Sequence, residues 1–174
     1  TLIRMLRACV TAILWAFCHS MGVAAESLVT LDPDQWKTEA KWTSHGEESE
    51  IRFQAKGNTL WEGNPESLNR QLSESGEFTI AFHFRTDNLK QDGPARIFSL
   101  SRSTSHRNLT IGQEEGSIEV RLRTSETSAN GLPGFSSGKV LTEREWLHLA
   151  LVRQSDGKTT LYLIGEPSAA KTVL

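Results

Sequence analysis

Apolar side chains recur at every second position through much of the chain after residue 50, a period that suits β-strands with one face in a core and the other in solvent. In "FTIAFHFR", Phe78, Ile80, Phe82 and Phe84 share one side, and Thr79, Ala81, His83 and Arg85 share the other. "SIEVRLRT" repeats the pattern, with Ile118, Val120 and Leu122 against Glu119, Arg121 and Arg123. "EIRFQAKG" does the same with Ile51, Phe53 and Ala55 against Arg52, Gln54 and Lys56. Half-buried antiparallel strands have this signature. In "WLHLALVRQSDGKTTLYLIG" two apolar runs flank Asp156-Gly157, a pair suited to the positive φ angles of a hairpin reversal. The intervening segments are polar and turn-rich, and a helical period is confined to a turn or so near "PESLNRQLSESG". Many short strands at close spacing predict an all-β, antiparallel two-sheet jelly-roll sandwich. With no internal repeat or low-complexity linker, residues 26–174 read as one domain.

Residues 1–25 read differently. Arg4 and Arg7 precede an apolar run from Ala8 to Phe17, and small residues close the segment at Val23-Ala24-Ala25. A basic start, an apolar stretch too short to span a bilayer and small residues before the cut predict a helical secretory signal peptide cleaved before Glu26. The mature chain is then secreted, periplasmic or held at the cell envelope, with no membrane span. Met5 is a plausible start, since the chain opens on Thr1. Both cysteines, Cys9 and Cys18, fall inside this segment. The mature domain would therefore have no disulfide, thiolate nucleophile or cysteine metal site, and its apolar core alone must hold it together. A domain of this size buries roughly 70% of its unfolded surface, enough to do so.

Loss of Arg4 and Arg7 leaves 17 of the 19 basic side chains against 21 acidic ones. An acidic balance argues against a nucleic-acid partner, which needs a basic excess gathered on one surface. Positive charge does cluster locally, at Arg96, Arg102, Arg107, Arg121 and Arg123, either as a solvated sheet face or as a binding patch.

Three segments in succession, "GEFTIAFHFRTDNL", "GPARIFSLSRSTSHRNLTIGQEEGSIEVRLRTSETSANGLPG" and "REWLHLALVRQSDGKTTLYLIGE", carry a family likeness over about Gly76 to Glu166. The chain resembles the LamG-like jelly-roll modules of the concanavalin A-like lectin/glucanase superfamily, in particular an exported bacterial branch with a GPARI-type strand followed by an RN-x-T-x-G-Q strand. The middle block is the specific part; the W-x-H strand and the hairpin are common to the wider superfamily. In such modules further strands follow the last hairpin, whereas here "PSAAKTVL" follows it. The expectation is a jelly roll incomplete at its C-terminus, as a fragment of a longer protein or with an edge awaiting a partner.

The catalytic relatives that the resemblance brings in are β-glucanases with carboxylates in an E-x-D-x-x-E arrangement on one strand. Retaining hydrolysis needs two carboxyl groups about 5–5.5 Å apart. That pattern is missing; "EESE" at Glu47–Glu50, "EEGSIE" at Glu114–Glu119 and "EREW" with Glu143 and Glu145 read better as solvated loop charge. The histidines after residue 25, His45, His83, His106 and His148, show no H-x-H or H-E-x-x-H spacing for zinc, and His148 resembles the family's structural strand histidine. No G-x-S-x-G elbow is present. Laminin-G relatives often hold Ca²⁺ at a loop rim through an aspartate and backbone carbonyls; Asp87, Asp92 and Asn130 are the residues here that fit such a role.

Sugar recognition uses aromatic faces with planar amide, carboxylate or guanidinium groups. The candidates are Arg96, Arg102, Arg107, Asn108, Gln113, Arg121 and Arg123, with Arg96 and Asn108 alternatively pinning loops. Trp146 reads as core, while an exposed platform among Trp36, Trp42 and Trp61 would favour carbohydrate. The expected function is a non-catalytic exported binding module for carbohydrate. Its alternatives are a protein-binding adhesion or envelope-assembly domain and a glucanase-like glycoside hydrolase.

Overall fold

A computed structural model describes residues 61–164 to the level of side chains, with backbone strands assigned on either side of that stretch. The chain divides into two compact units, one made of Thr1–Arg85 with Trp146–Leu174 and the other of Thr86–Glu145.

In the first unit the backbone strands are β1 (Ile3–Leu6), β2 (Trp36–Thr38), β3 (Lys41–His45), β4 (Glu48–Arg52) and β5 (Thr59–Trp61). They are followed by helix α1 (Pro65–Ser75), β6 (Phe78–Thr86), β11 (Leu147–Arg153), β12 (Thr159–Gly165) and β13 (Lys171–Val173). β6, β11 and β12 form a continuous antiparallel sheet with β11 in the middle. The register sets Phe82, Leu149 and Leu163 in one row and Ile80, Leu151 and Leu161 in the next. Leu149, Leu151 and Leu161 are almost wholly buried, as the alternation of "FTIAFHFR" and "WLHLALVR" predicts. The hairpin β11–β12 turns over Gln154–Lys158, where Gly157 has φ 88° and Asp156 Oδ1 accepts from Lys158 N at 2.8 Å.

Two expectations need correction. The opposite faces of β6 and β11 are not solvated: His83, His148, Ala150 and Val152 are buried as well, so both strands are covered on two sides. The helical turn is a full helix of 11 residues. Asn64 caps it, its Oδ1 accepting from Ser67 N at 2.9 Å. Pro65 occupies the first turn, Glu66 meets the positive end of the dipole, and Gly76 closes it in the left-handed region at φ 67°. Apolar periodicity underestimates this helix because none of its residues is buried.

The predicted leader, residues 1–25, and the alternating side chains of "EIRFQAKG" lie outside the described side chains; of the leader, the backbone of Ile3–Leu6 is assigned as strand and pairs with β4.

The second unit is a four-stranded antiparallel sheet in the order β10-β9-β8-β7, with β7 at Ala95–Ser101, β8 at Arg107–Glu114, β9 at Ser117–Leu122 and β10 at Phe135–Lys139. Leu109 and Ile111 on β8 and Ile118 and Val120 on β9 are buried on its apolar face. Two register shifts interrupt the β7–β8 ladder, one between Arg96 and Phe98 and one between Leu100 and Ser101. Each inserts an unpaired residue and reverses the side to which the chain beyond it points.

Candidate functional site

The second of those shifts builds the site. Strict alternation from the buried Leu109 would send Arg107 toward the apolar face. Because Leu100 pairs with Leu109 but Ser101 pairs with Arg107, Asn108 is the extra residue, and Arg107 instead shares the polar face with Ser101. Ser99 and Thr110 are paired on this same face, and Thr110 is paired in turn with Arg121. One row along, Arg96 faces Gly112, which faces Glu119. Three arginines on three neighbouring strands thus converge on one polar face, above the hydroxyls of Ser99, Ser101 and Thr110.

Those hydroxyls are linked to one another. Ser99 Oγ lies within hydrogen-bonding reach of Ser101 Oγ and of Thr110 Oγ1, and donates to the Leu109 carbonyl at 3.3 Å. Thr110 is buried beneath the patch, whereas Arg96 is exposed and Arg107 and Arg121 are half-buried. Among the described residues no carboxylate lies within ion-pairing distance of these arginines; the ion pair recorded there, Lys139–Glu115 at 3.5 Å, joins two well-exposed side chains elsewhere on the sheet. Burial, and then the charges of Arg96 and Arg121, lower the pKa of Arg107, so the three guanidiniums feel one another. They stay charged all the same.

Two glycines shape the patch. A Cβ on Gly112 would stand 2.8 Å from Pro94 Cβ and 3.0 Å from the Ala95 carbonyl oxygen, so Pro94 and Ala95 pack directly onto the strand between Arg96 and Glu119 and leave no room for a side chain there. A Cβ on Gly134 would stand 2.6 Å from the Val120 carbonyl oxygen and 3.0 Å from Arg121 Cγ, so Gly134 lies against the stem of Arg121. Gly134→Ala is expected to lower stability by about 1–3 kcal/mol, because backbone must move to admit the methyl group. Urea denaturation reads this directly; an unchanged midpoint would show that the contact yields without cost.

The remaining candidates disperse. Arg102 is exposed in the turn between β7 and β8, and Arg123 is exposed just beyond β9 on the Asn108 side, where Arg123 N donates to the Asn108 carbonyl. Gln113 is a correction: it shares the apolar face with Leu109 and Ile111 and is wholly buried. Its Nε2 donates to the Asn88 and Glu115 carbonyls at 2.7 and 2.8 Å, which ties down the loop before β7 rather than offering a ligand contact. The residues considered for calcium do not converge either. The Asp87–Asp92 loop lies at the Glu114 end of β8, through Gln113 Nε2 to Asn88 and Glu115 N to the Gln91 carbonyl. Asn130 lies at the Arg107 end, where Arg107 N donates to the Ala129 carbonyl at 3.0 Å. Seven strand steps, roughly 23 Å, separate the two ends.

In the first unit, Trp146 precedes β11 and is half-buried rather than core. Its ring lies 4.4 Å from that of His83, and the Arg85 guanidinium carbon lies 5.1 Å from the Trp146 ring centroid. His83 also stacks on His148, with centroids 3.8 Å apart and planes 7° from parallel. Both ring nitrogens of His83 are buried without a hydrogen-bond partner. His106 is an exposed turn residue whose Nδ1 sits 3.3 Å from the Ser103 and Ser105 hydroxyls. Among the described residues no group of three or more histidine, aspartate or glutamate side chains is placed to hold a metal ion. Glu143 and Glu145 are exposed and outside any strand, while Glu119 is half-buried beside the arginine patch. Trp61 is half-buried, and the side chains of Trp36, Trp42 and His45 lie outside the described residues. No helix among the described residues is long and apolar enough to cross a membrane.

No curated protein and no solved structure matches the chain. A laminin-G-type family model, described as the concanavalin A-like lectin/glucanases superfamily, matches residues 62–174, which take in α1, both described sheets and the arginine patch. With alternation, sheet order and this match in agreement, the chain belongs to the concanavalin A-like lectin/glucanases superfamily, and its fold is that family's all-β, antiparallel two-sheet class.

Proposed function

We propose that this protein is an exported, non-catalytic binding module that recognises carbohydrate through the polar face of the β7–β8–β9 sheet. The observation that carries the reading is the convergence of Arg96, Arg107 and Arg121 above the hydroxyls of Ser99, Ser101 and Thr110. Guanidiniums and hydroxyls offer planar and adaptable donors to sugar oxygens, and a sheet fixes the backbone that carries them, so that ordering on binding falls on the side chains alone. Membership of a superfamily that includes lectins is consistent with a binding role, although fold alone does not assign a ligand. Export rests on the features of residues 1–25: Arg4 and Arg7, the apolar run and the small residues before Glu26.

The test is a glycan array probed with the protein from Glu26 onward, with and without Ca²⁺. Binding to a defined set of glycans, lost in the combined Arg96→Gln, Arg107→Gln and Arg121→Gln variant, is the expected result. An empty array, or an unchanged profile in the variant, removes the reading. Release of sugar from laminarin that stopped in Glu119→Gln or Glu143→Gln would overturn the non-catalytic part.

A further inference from the structure

We infer that the stacked rings of His83 and His148, flanked by Trp146, form an acid-operated latch on the β6–β11 face: closed at neutral pH, it opens on acidification and turns Trp146 out to water while the strands stay paired. None of these residues lies in the β7–β8–β9 sheet, so the inference stands apart from the carbohydrate reading. His83 and His148 are directly opposite one another on neighbouring strands, with ring centroids 3.8 Å apart and planes 7° from parallel. Such a contact suits two neutral rings, because two imidazoliums at this separation repel in a site too dry to screen them. Among the described residues, the titratable or charged side chains that register places on this face are His83 and Arg85 from β6, His148 from β11 and Tyr162 from β12, and none is a carboxylate. Glu143 and Glu145 are exposed and precede the strand. The Trp146 indole could receive an imidazolium, but the Arg85 guanidinium carbon already lies 5.1 Å from its centroid, so the one group able to stabilise the new charge brings a like charge with it.

The closed stack is held weakly and can open locally. His83 is only 5% exposed, yet neither ring nitrogen has a partner, so closure leaves unmade a donor and an acceptor that water would satisfy on opening. Trp146 is half-buried and lies one residue before the ladder, which begins at the pair Leu147–Phe84. Two residues upstream, Arg144 N donates to the Thr86 carbonyl at 2.7 Å. The indole can therefore turn outward between two anchored points without breaking a β6–β11 hydrogen bond. The rows Phe82–Leu149–Leu163 and Ile80–Leu151–Leu161 stand on the other side of the sheet and are untouched. In the stack, burial and then the charge of His148 lower the His83 pKa from 6.5 to about 4. A proton thus favours the open form: the open-to-closed ratio rises as pH falls below 6.5, by on the order of a hundredfold at pH 4, and levels off below that.

The test follows the protein from Glu26 onward, grown with 5-fluorotryptophan, by fluorine NMR between pH 7.5 and pH 4. Trp146→Phe assigns the Trp146 resonance by its loss. That resonance is expected to move reversibly to the position of a solvent-exposed indole, with a midpoint between pH 6.5 and pH 4, while the far-UV circular dichroism and the other tryptophan resonances stay unchanged. The ring protons of His83, followed in the parent, should titrate with the same midpoint. His83→Phe keeps a ring and His83→Gln keeps a polar group, and neither can titrate in this range, so each should abolish the movement. A Trp146 resonance that stays in place down to pH 4, or that moves only together with loss of the circular-dichroism signal, overturns the latch. Movement that persists in a folded His83 variant, or different midpoints for His83 and Trp146 in the parent, overturns it equally.

Discussion

Leu151→Ala is expected to lower the unfolding free energy by about 3–4 kcal/mol, the largest effect of any substitution considered for this chain. Leu151 is fully buried at the middle of the central strand of its sheet, and its cross-strand neighbours are Ile80 on β6 and Leu161 on β12. Removing three carbons there loses their transfer free energy and leaves a cavity that three hydrogen-bonded strands cannot collapse to fill. The control is Leu132→Ala in the loop before β10, where Leu132 is 44% exposed and a change within about 0.5 kcal/mol is expected. Urea denaturation of the two variants beside the parent gives the comparison. Equal midpoint shifts would mean that the row Ile80–Leu151–Leu161 is not where the core lies.

Acidification is expected to destabilise the protein through His83 by about 3 kcal/mol between pH 6.5 and pH 4. Burial first, and the neighbouring His148 second, lower the His83 pKa from 6.5 to about 4. Its surroundings explain the direction: the ring stacks on His148 and lies tilted against Trp146, whose ring also carries the Arg85 guanidinium, and no acceptor meets either ring nitrogen. As pH falls below 6.5 the unfolded chain takes up a proton that the folded chain refuses. Stability is therefore greatest above pH 6.5, declines down to pH 4, and loses nothing more from this residue below that. His83→Phe keeps a ring in the stack and removes the titration, so its unfolding free energy should change less with pH than the parent's by that same amount. Parallel curves for parent and variant across pH 7.5, 5.5 and 4.5 would falsify the assignment.

Much of the fold was legible in the alternation, and the site was legible only in part. Phe82 and Phe84, the leucines of β11 and the valine and isoleucine of β9 lie where a period of two puts them. The same parity, applied to β8, places Gln113 with Leu109 and Ile111, so its burial was available from sequence and was outweighed by its polar side chain. The extent of α1 was also available, through Asn64-Pro65-Glu66 at one end and Gly76 at the other, since caps act locally even where no apolar stripe is buried. His83 was not: its residue type and parity both point to solvent, and only neighbours distant in sequence decide that its face is covered.

What the order of residues determined by itself is the strands β6, β8, β9, β11 and β12 with a buried apolar face on each, the hairpin at Asp156-Gly157 and the family to which they belong, because side-chain alternation and turn chemistry are properties of the chain over a few bonds; β10, in a segment that reads as turn-rich, was not among them. The tertiary structure alone decided that Arg107 joins Arg96 and Arg121. That outcome depends on which residue of β7 faces which residue of β8, and a shift of one position in that pairing reverses the side on which a guanidinium stands.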